Sequence, residues 1–173
     1  YEVDSESSNV RVALRPEPNG SVSVHERRDQ ASGFVPAFEI PYEDTQTTQV
    51  LGSDPTRRTL FLADSRNANG AGTAALVEMN LDTGATHVLA RDEQADITEI
   101  VRHPRDGHIQ AAIATYDRRR TYILDREFGA TFEAVTNAIR KHEKIAADDD
   151  DVEVSIASRS MDDRLWIVKS VAS

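Results

Sequence analysis

Thr73-Ala74-Ala75-Leu76-Val77-Glu78-Met79-Asn80-Leu81-Asp82-Thr83-Gly84 contains, from Ala74 to Leu81, a run that is apolar on both faces for most of its length. A strand packed between neighbouring sheets has that composition, whereas a strand with one wet face alternates. Asp82-Thr83-Gly84 then reverses the chain: the carboxylate accepts a backbone N–H two residues on, and Gly84 tolerates positive φ. Working outward, short apolar runs at 48–51 and 59–63 precede this strand and one at 86–90 follows it. Four strands divided by turn signals predict an all-β unit. Residues 67–72 bear two glycines, but they join two strands and precede no helix whose N-terminus would hold a phosphate, so they read as a hairpin loop.

The same pattern extends both ways. Val10, Val12 and Leu14 alternate with polar neighbours, residues 16–20 make a turn, and Val22 and Val24 alternate on the return. Pro36 and Pro41 then punctuate a connection with Phe34, Phe38, Ile40 and Tyr42 as its expected anchors. Downstream, strands are expected at 97–102, 109–116 and 121–125. From Thr131 to about Ile145 the residues Phe132, Val135, Ala138 and Ile139 recur at helical spacing, with Glu133 early and Arg140, Lys141 and Lys144 late, which predicts one helix in place of a fourth strand. Two further strands, 152–159 and 165–171, end the sequence in mid-pattern.

A repeat ties these units together. Ser53-Asp54-Pro55-Thr56-Arg57-Arg58, Arg102-His103-Pro104-Arg105-Asp106-Gly107 and Arg159-Ser160-Met161-Asp162-Asp163-Arg164 each precede an apolar strand, and Pro55, Pro104 and Met161 lie 49 and 57 residues apart. Such intervals suit the four-stranded blades of a β-propeller, one blade carrying a helical insertion. The expected fold is a partial propeller of about three antiparallel blades. Its divisions are 1–47 (hairpin and connection), 48–95 (blade), 96–147 (blade with helix) and 148–173 (incomplete blade).

On these residues the chain resembles the propeller of the prolyl oligopeptidase family of serine peptidases, in its acylaminoacyl-peptidase or dipeptidyl-peptidase-like branch. Leu60-Phe61-Leu62-Ala63-Asp64-Ser65-Arg66-Asn67, the run from Thr73 to Gly84, His103-Pro104 with Gln110-Ala111-Ala112, and Ser160 to Val168 carry the resemblance. It spans roughly residues 48–171. The family couples such a propeller to an α/β-hydrolase domain carrying Ser, Asp and His, and the propeller restricts access to that site. The resemblance therefore implies a non-catalytic gate, partnered by its own hydrolase domain and passing peptide substrates. No triad transfers, because a nucleophile elbow needs Gly-x-Ser-x-Gly and no serine here has glycines at both flanking positions. The alternative is a propeller-type protein-binding or scaffolding module without a hydrolase.

Composition narrows the partners. Thirty acidic against twenty basic side chains give a net charge of −10, which repels nucleic acid and anionic membrane surfaces. The one basic cluster, Arg118, Arg119, Arg120 and Arg126, is flanked by Asp117 and Asp125 and reads as a solvated turn and strand edge. No apolar run is long enough to span a membrane. Without cysteine there is no thiolate, disulfide or Cys-based zinc site. The chain opens at Tyr1 with no charged segment leading into an apolar one, so cytoplasm and periplasm both stay open.

No catalytic, cofactor-binding or metal residue is assigned. Asp148-Asp149-Asp150-Asp151 with Glu153 offers calcium-type ligands but lacks the glycine turn that folds them round one ion, and reads as a solvated turn. His103 and His108 flank a turn with no third ligand evident, and read as turn residues. His142-Glu143 lacks the second histidine of a zincin helix. Trp166 and Tyr122, which would suit a peptide channel, read as core between blades. Blade faces left uncovered in a partial propeller predict self-association.

Overall fold

A computed structural model describes residues 2–3, 10–29, 31–54, 58–66, 72–143 and 152–172. The acidic run 148–151, the loop residues 67–71, the turn residues 55–57 and the expected helix end at 144–145 lie outside the described residues. The described chain is mostly β, in small open sheets whose strands follow sequence order, with one α-helix. It divides into two compact units, Tyr1–Glu99 and Ile100–Ser173.

The first unit holds two four-stranded sheets. One is β1 (Glu2–Val3), β2 (Val10–Pro16), β3 (Val22–Glu26) and β4 (Val35–Ile40); the other is β5 (Gln49–Asp54), β6 (Thr59–Asp64), β7 (Ala75–Asn80) and β8 (Thr86–Ala90). In the second sheet β6 is buried at all six positions and pairs antiparallel with both neighbours, Leu62 opposite Val50 on one side and Val77 on the other. Continuous burial explains why Leu60, Phe61, Leu62 and Ala63 follow one another without a polar break. The two sheets share a core: Val12, Val24 and Ile40 from one pack with Leu60, Leu62 and Met79 from the other.

The expected connection over 34–42 is a strand. β4 pairs antiparallel with β3, Ile40 opposite Val22, and a register shift falls between Val24 and His25. Pro36 hid it, yet β4 is the edge of its sheet, where a residue without an N–H costs no ladder bond. Of the four expected anchors only Ile40 is fully buried, with Phe38 packed beside it, while Phe34 and Tyr42 are exposed. Tyr42 opens a single 3-10 turn, Tyr42–Asp44.

Polar contacts bind the two sheets at their rims. Arg66 sets its Nε 2.9 Å and Nη2 2.7 Å from the two oxygens of buried Asp64, and its guanidinium lies 4.6 Å above the Phe38 ring. Burial pulls the Asp64 carboxyl upward, but the hydrogen bonds and charge of Arg66 outweigh it and hold the group below the ordinary carboxylate range. Near the other end Arg58 donates from Nη2 to both oxygens of buried Glu26 at 2.9 Å and from Nε to Asp82 at 2.8 Å.

The second unit holds the sheet β11-β10-β9, from β9 (Ile97–Arg102), β10 (Ile109–Thr115) and β11 (Arg119–Ile123), whose first strand begins just ahead of the boundary between the units. It is followed by α1 (Arg126–Glu143) and a two-stranded sheet of β12 (Val152–Arg159) and β13 (Trp166–Ala172). The helix starts ahead of the expected Thr131. Asp125 accepts the Phe128 N–H at Oδ1, 2.7 Å away, as an N-cap, and Phe128 is the buried residue of the helix, so cap and anchor both precede the apolar period that sequence displays. Gly129 also lets the first turn approach β11: a Cβ there would stand 2.6 Å from Ile123 Cγ2.

The hairpin turns between β9 and β10 and between β12 and β13 are alike. His103 N donates to His108 O at 2.8 Å, and Ser160 N to Leu165 O at 2.9 Å, so each six-residue segment is closed by the same bond. They differ inside: the left-handed residue is the fifth in one, Gly107 at φ 71°, and the fourth in the other, Asp163 at φ 56°.

Candidate functional site

The turn at 103–108 brings chemistry together. His103 N–H and Gly107 N–H donate to His108 O and His103 O, and Arg102 Nε donates to Gly107 O at 2.9 Å, so the backbone is held from three directions. Only a residue at ease with positive φ turns the chain this tightly at 107, which is why glycine stands there. The two imidazoles stack with centroids 5.0 Å apart and planes 17° from parallel. Between them lies Asp106: its Oδ1 is 2.9 Å from His103 Nδ1 and 2.7 Å from His108 Nδ1, and it accepts the His108 backbone N–H at 3.2 Å. Sequence displayed no evident third ligand near the two histidines, and the structure sets a carboxylate, Asp106, between them. Asp106 lies inside the turn itself, and the spacing His-x-x-Asp-x-His was its signal. Burial nudges the Asp106 carboxyl upward, but the hydrogen bonds from His108 and the nearby imidazoles outweigh it and keep the group below its ordinary range.

The turn opens into a cleft of about 450 Å³ within the second unit. Along its wall, Asp125 at the cap of α1 places Oδ2 3.5 Å from His108 Nε2. Gln110 on β10 lines the cleft as well, 4% exposed, and its Oε1 has no hydrogen-bond partner. Trp166 and Phe128 form an aromatic wall, their centroids 5.5 Å apart. Arg159 lies under both rings, 5.1 Å from Trp166 and 5.5 Å from Phe128, and pairs with Asp163 at 3.2 Å. Burial lowers the Arg159 pKa, and the Asp163 charge offsets part of that effect.

The other sequence candidates fall elsewhere. Trp166 lines the cleft half-buried and is not packed away as core, while Tyr122 sits half-buried on β11 outside the lining. His142 and Glu143 are exposed at the end of α1, where Glu143 accepts the Ser170 hydroxyl at 2.8 Å. Among the basic cluster, Arg120 pairs with Asp117 at 3.1 Å and Arg118 is exposed.

The cleft holds imidazoles and carboxylates but no activated nucleophile of the serine kind. Ser160 donates to Asp162 at 2.6 Å, which holds that carboxyl below its ordinary range, and receives the Leu165 N–H. It has no imidazole to take its proton.

Comparison with known proteins places this arrangement in context. The chain is similar to one segment of a peptidase. Dipeptidyl aminopeptidase BIII of Pseudoxanthomonas mexicana is 32% identical to it over 160 residues, covering 92% of this chain and 21% of the relative. The chain thus spans about a fifth of that relative's length. No family model and no solved structure matches it.

Proposed function

We propose that this chain is the non-catalytic propeller part of a serine peptidase of the prolyl oligopeptidase kind, gating peptide access to a separate α/β-hydrolase domain. The observation that carries the reading is the similarity of nearly the whole chain to a minor part of a dipeptidyl aminopeptidase. The local structure agrees with it. Consecutive antiparallel strands form small meander sheets, two of which pack through a shared apolar core, as blades of a propeller do. The blades on this reading are 48–95, 96–147 with its helix, and the incomplete 148–173, after the N-terminal 1–47.

A gate acts by exclusion, so its effect is on which substrates reach the reacting serine and not on the chemistry there. The partners are then the hydrolase domain and a peptide substrate, with neither nucleic acid nor membrane among them, and the chain by itself associates with other copies. The test compares the longer protein with and without this chain. With it present, cleavage of unfolded casein falls relative to turnover of a dipeptidyl p-nitroanilide; an unchanged ratio removes the gating role. The chain alone is expected to turn over neither substrate, and turnover abolished by one serine substitution within it would overturn the non-catalytic assignment.

A further inference from the structure

We propose that the turn at 103–108 binds one divalent transition-metal ion of the zinc class, with His103 Nδ1, Asp106 Oδ1 and His108 Nδ1 as its ligands. One ligand atom from each residue lies within 4.8 Å of the other two. Two imidazole nitrogens and a carboxylate oxygen are the donor set that zinc-class ions take in three-ligand sites, with a fourth position left to water. Calcium and magnesium, which prefer oxygen alone, are poorly matched by it.

Three further observations point to a ligand. The first is electrostatic: the cleft lining carries the carboxylates Asp106, Asp125, Glu127, Asp162 and Asp163 and no Lys or Arg, and with Asp163 paired to Arg159 and Asp162 near Arg164 the remaining three leave it negative, so it attracts a cation. The second is Gln110. An amide oxygen buried without a donor is costly. This one lies in the wall of the same cleft. That oxygen is closed to solvent where it lies, so a metal-bound water becomes its donor only once the Gln110 side chain turns toward the cleft. The third is Asp125, whose Oδ2 faces His108 Nε2 while Nδ1 faces Asp106. At 3.5 Å this carboxylate stands close enough behind the far nitrogen to become its hydrogen-bond partner and orient the ring when Nδ1 ligates.

The turn also keeps its shape independently of these side chains, through the His103–His108 backbone bond and the Arg102 contact to Gly107 O. Binding therefore needs only a modest opening of the two short Asp106 contacts. The site stands on its own geometry and does not depend on the gating reading.

The test is calorimetric titration of the purified chain with ZnCl2, with Co2+ as a spectroscopic probe. One ion per chain is expected, with the visible d–d bands of low-coordinate Co2+, and neither Ca2+ nor Mg2+ competing at equal concentration. Asp106→Asn and His103→Gln should each weaken Zn2+ at least tenfold. Asp125→Asn, which keeps all three ligands and still caps α1, should weaken it about 10- to 100-fold. His142→Gln, far along the helix surface, should leave affinity unchanged. Metal-free melting temperature reports whether each variant folds, and Asp125→Asn carries the test if a ligand variant does not. Absence of saturable binding, or unchanged affinity in folded Asp106→Asn and Asp125→Asn, overturns the proposal, as does equal binding of Ca2+.

Discussion

At the scale of single residues, the strongest commitment in the first unit is the pair Asp64–Arg66. Asp64 is 2% exposed and its carboxylate is satisfied by one guanidinium and one backbone N–H. Breaking a buried pair from one side leaves a stranded charge, so Arg66→Ala is expected to cost about 3–5 kcal/mol in chemical denaturation at neutral pH. The pH dependence has a definite sign. The folded carboxyl titrates below its unfolded value of about 3.9, so its contribution is fully present above that value and is lost as pH falls through the lower folded value. Melting temperature should drop in the acid range below about pH 4 in the wild type, and Asp64→Asn, scanned alongside, should flatten that limb. Sequence displayed Asp64 and Arg66 as part of a recognisable stretch but not their pairing. Residues two apart in a strand-and-turn meet only when the chain bends just after the strand. Asp106 was hidden differently: it stands inside the same turn as the two histidines, where an acidic residue ordinarily serves only to shape the turn.

At the scale of elements, most strands were legible because alternation or unbroken apolarity marks them. The misses have physical causes. β4 contains Pro36, which is harmless only because the strand is an edge, and edge position is not written in the strand itself. The start of α1 is set by a capping carboxylate and one stacked aromatic, Phe128 on Phe132 with centroids 5.7 Å apart, ahead of the periodic stretch. Gly129 in that first turn gives the clearest test. On helix propensity alone Gly129→Ala would stabilise by about 0.8–1 kcal/mol. The added methyl, however, meets the branched carbon of Ile123 at 2.6 Å. Overpacking costs about 1–3 kcal/mol, so the net effect in urea unfolding is expected to be destabilising. Ile123→Ala combined with Gly129→Ala should recover the propensity gain, and additivity of the two substitutions would show that the close approach has no energetic weight.

At the scale of the whole molecule, the last sheet has one face in water. Ile167 and Val171 face outward along β13, and Leu165 and Met161 in the turn ahead of it are exposed as well, all four between about half and three-quarters. Apolar area is worth roughly 25 cal/mol per Å² when removed from water, and exposed apolar side chains of this kind favour contact with another copy. Light scattering after size exclusion is expected to give a mass above the 19.2 kDa of one chain, falling toward it in Ile167→Lys. A monomer at high micromolar concentration, with Ile167→Lys indistinguishable, would refute this. The all-β class and the sheet order within each meander could be read from spacing, because hairpins connect neighbours; the shared core of the first two sheets could not, since it joins residues as far apart as Val12 and Met79. The likeness of the turns at 103–108 and 160–165 has a practical consequence. Because one backbone bond of nearly equal length closes each, the hexapeptide Ser160 to Leu165 is a ready-made blank cassette for the other position. Grafted over residues 103–108 it would remove both imidazoles at once while spanning the same six positions between the strands, its left-handed residue falling at 106 in place of 107, so the molecule carries within itself a template for its own metal-free control.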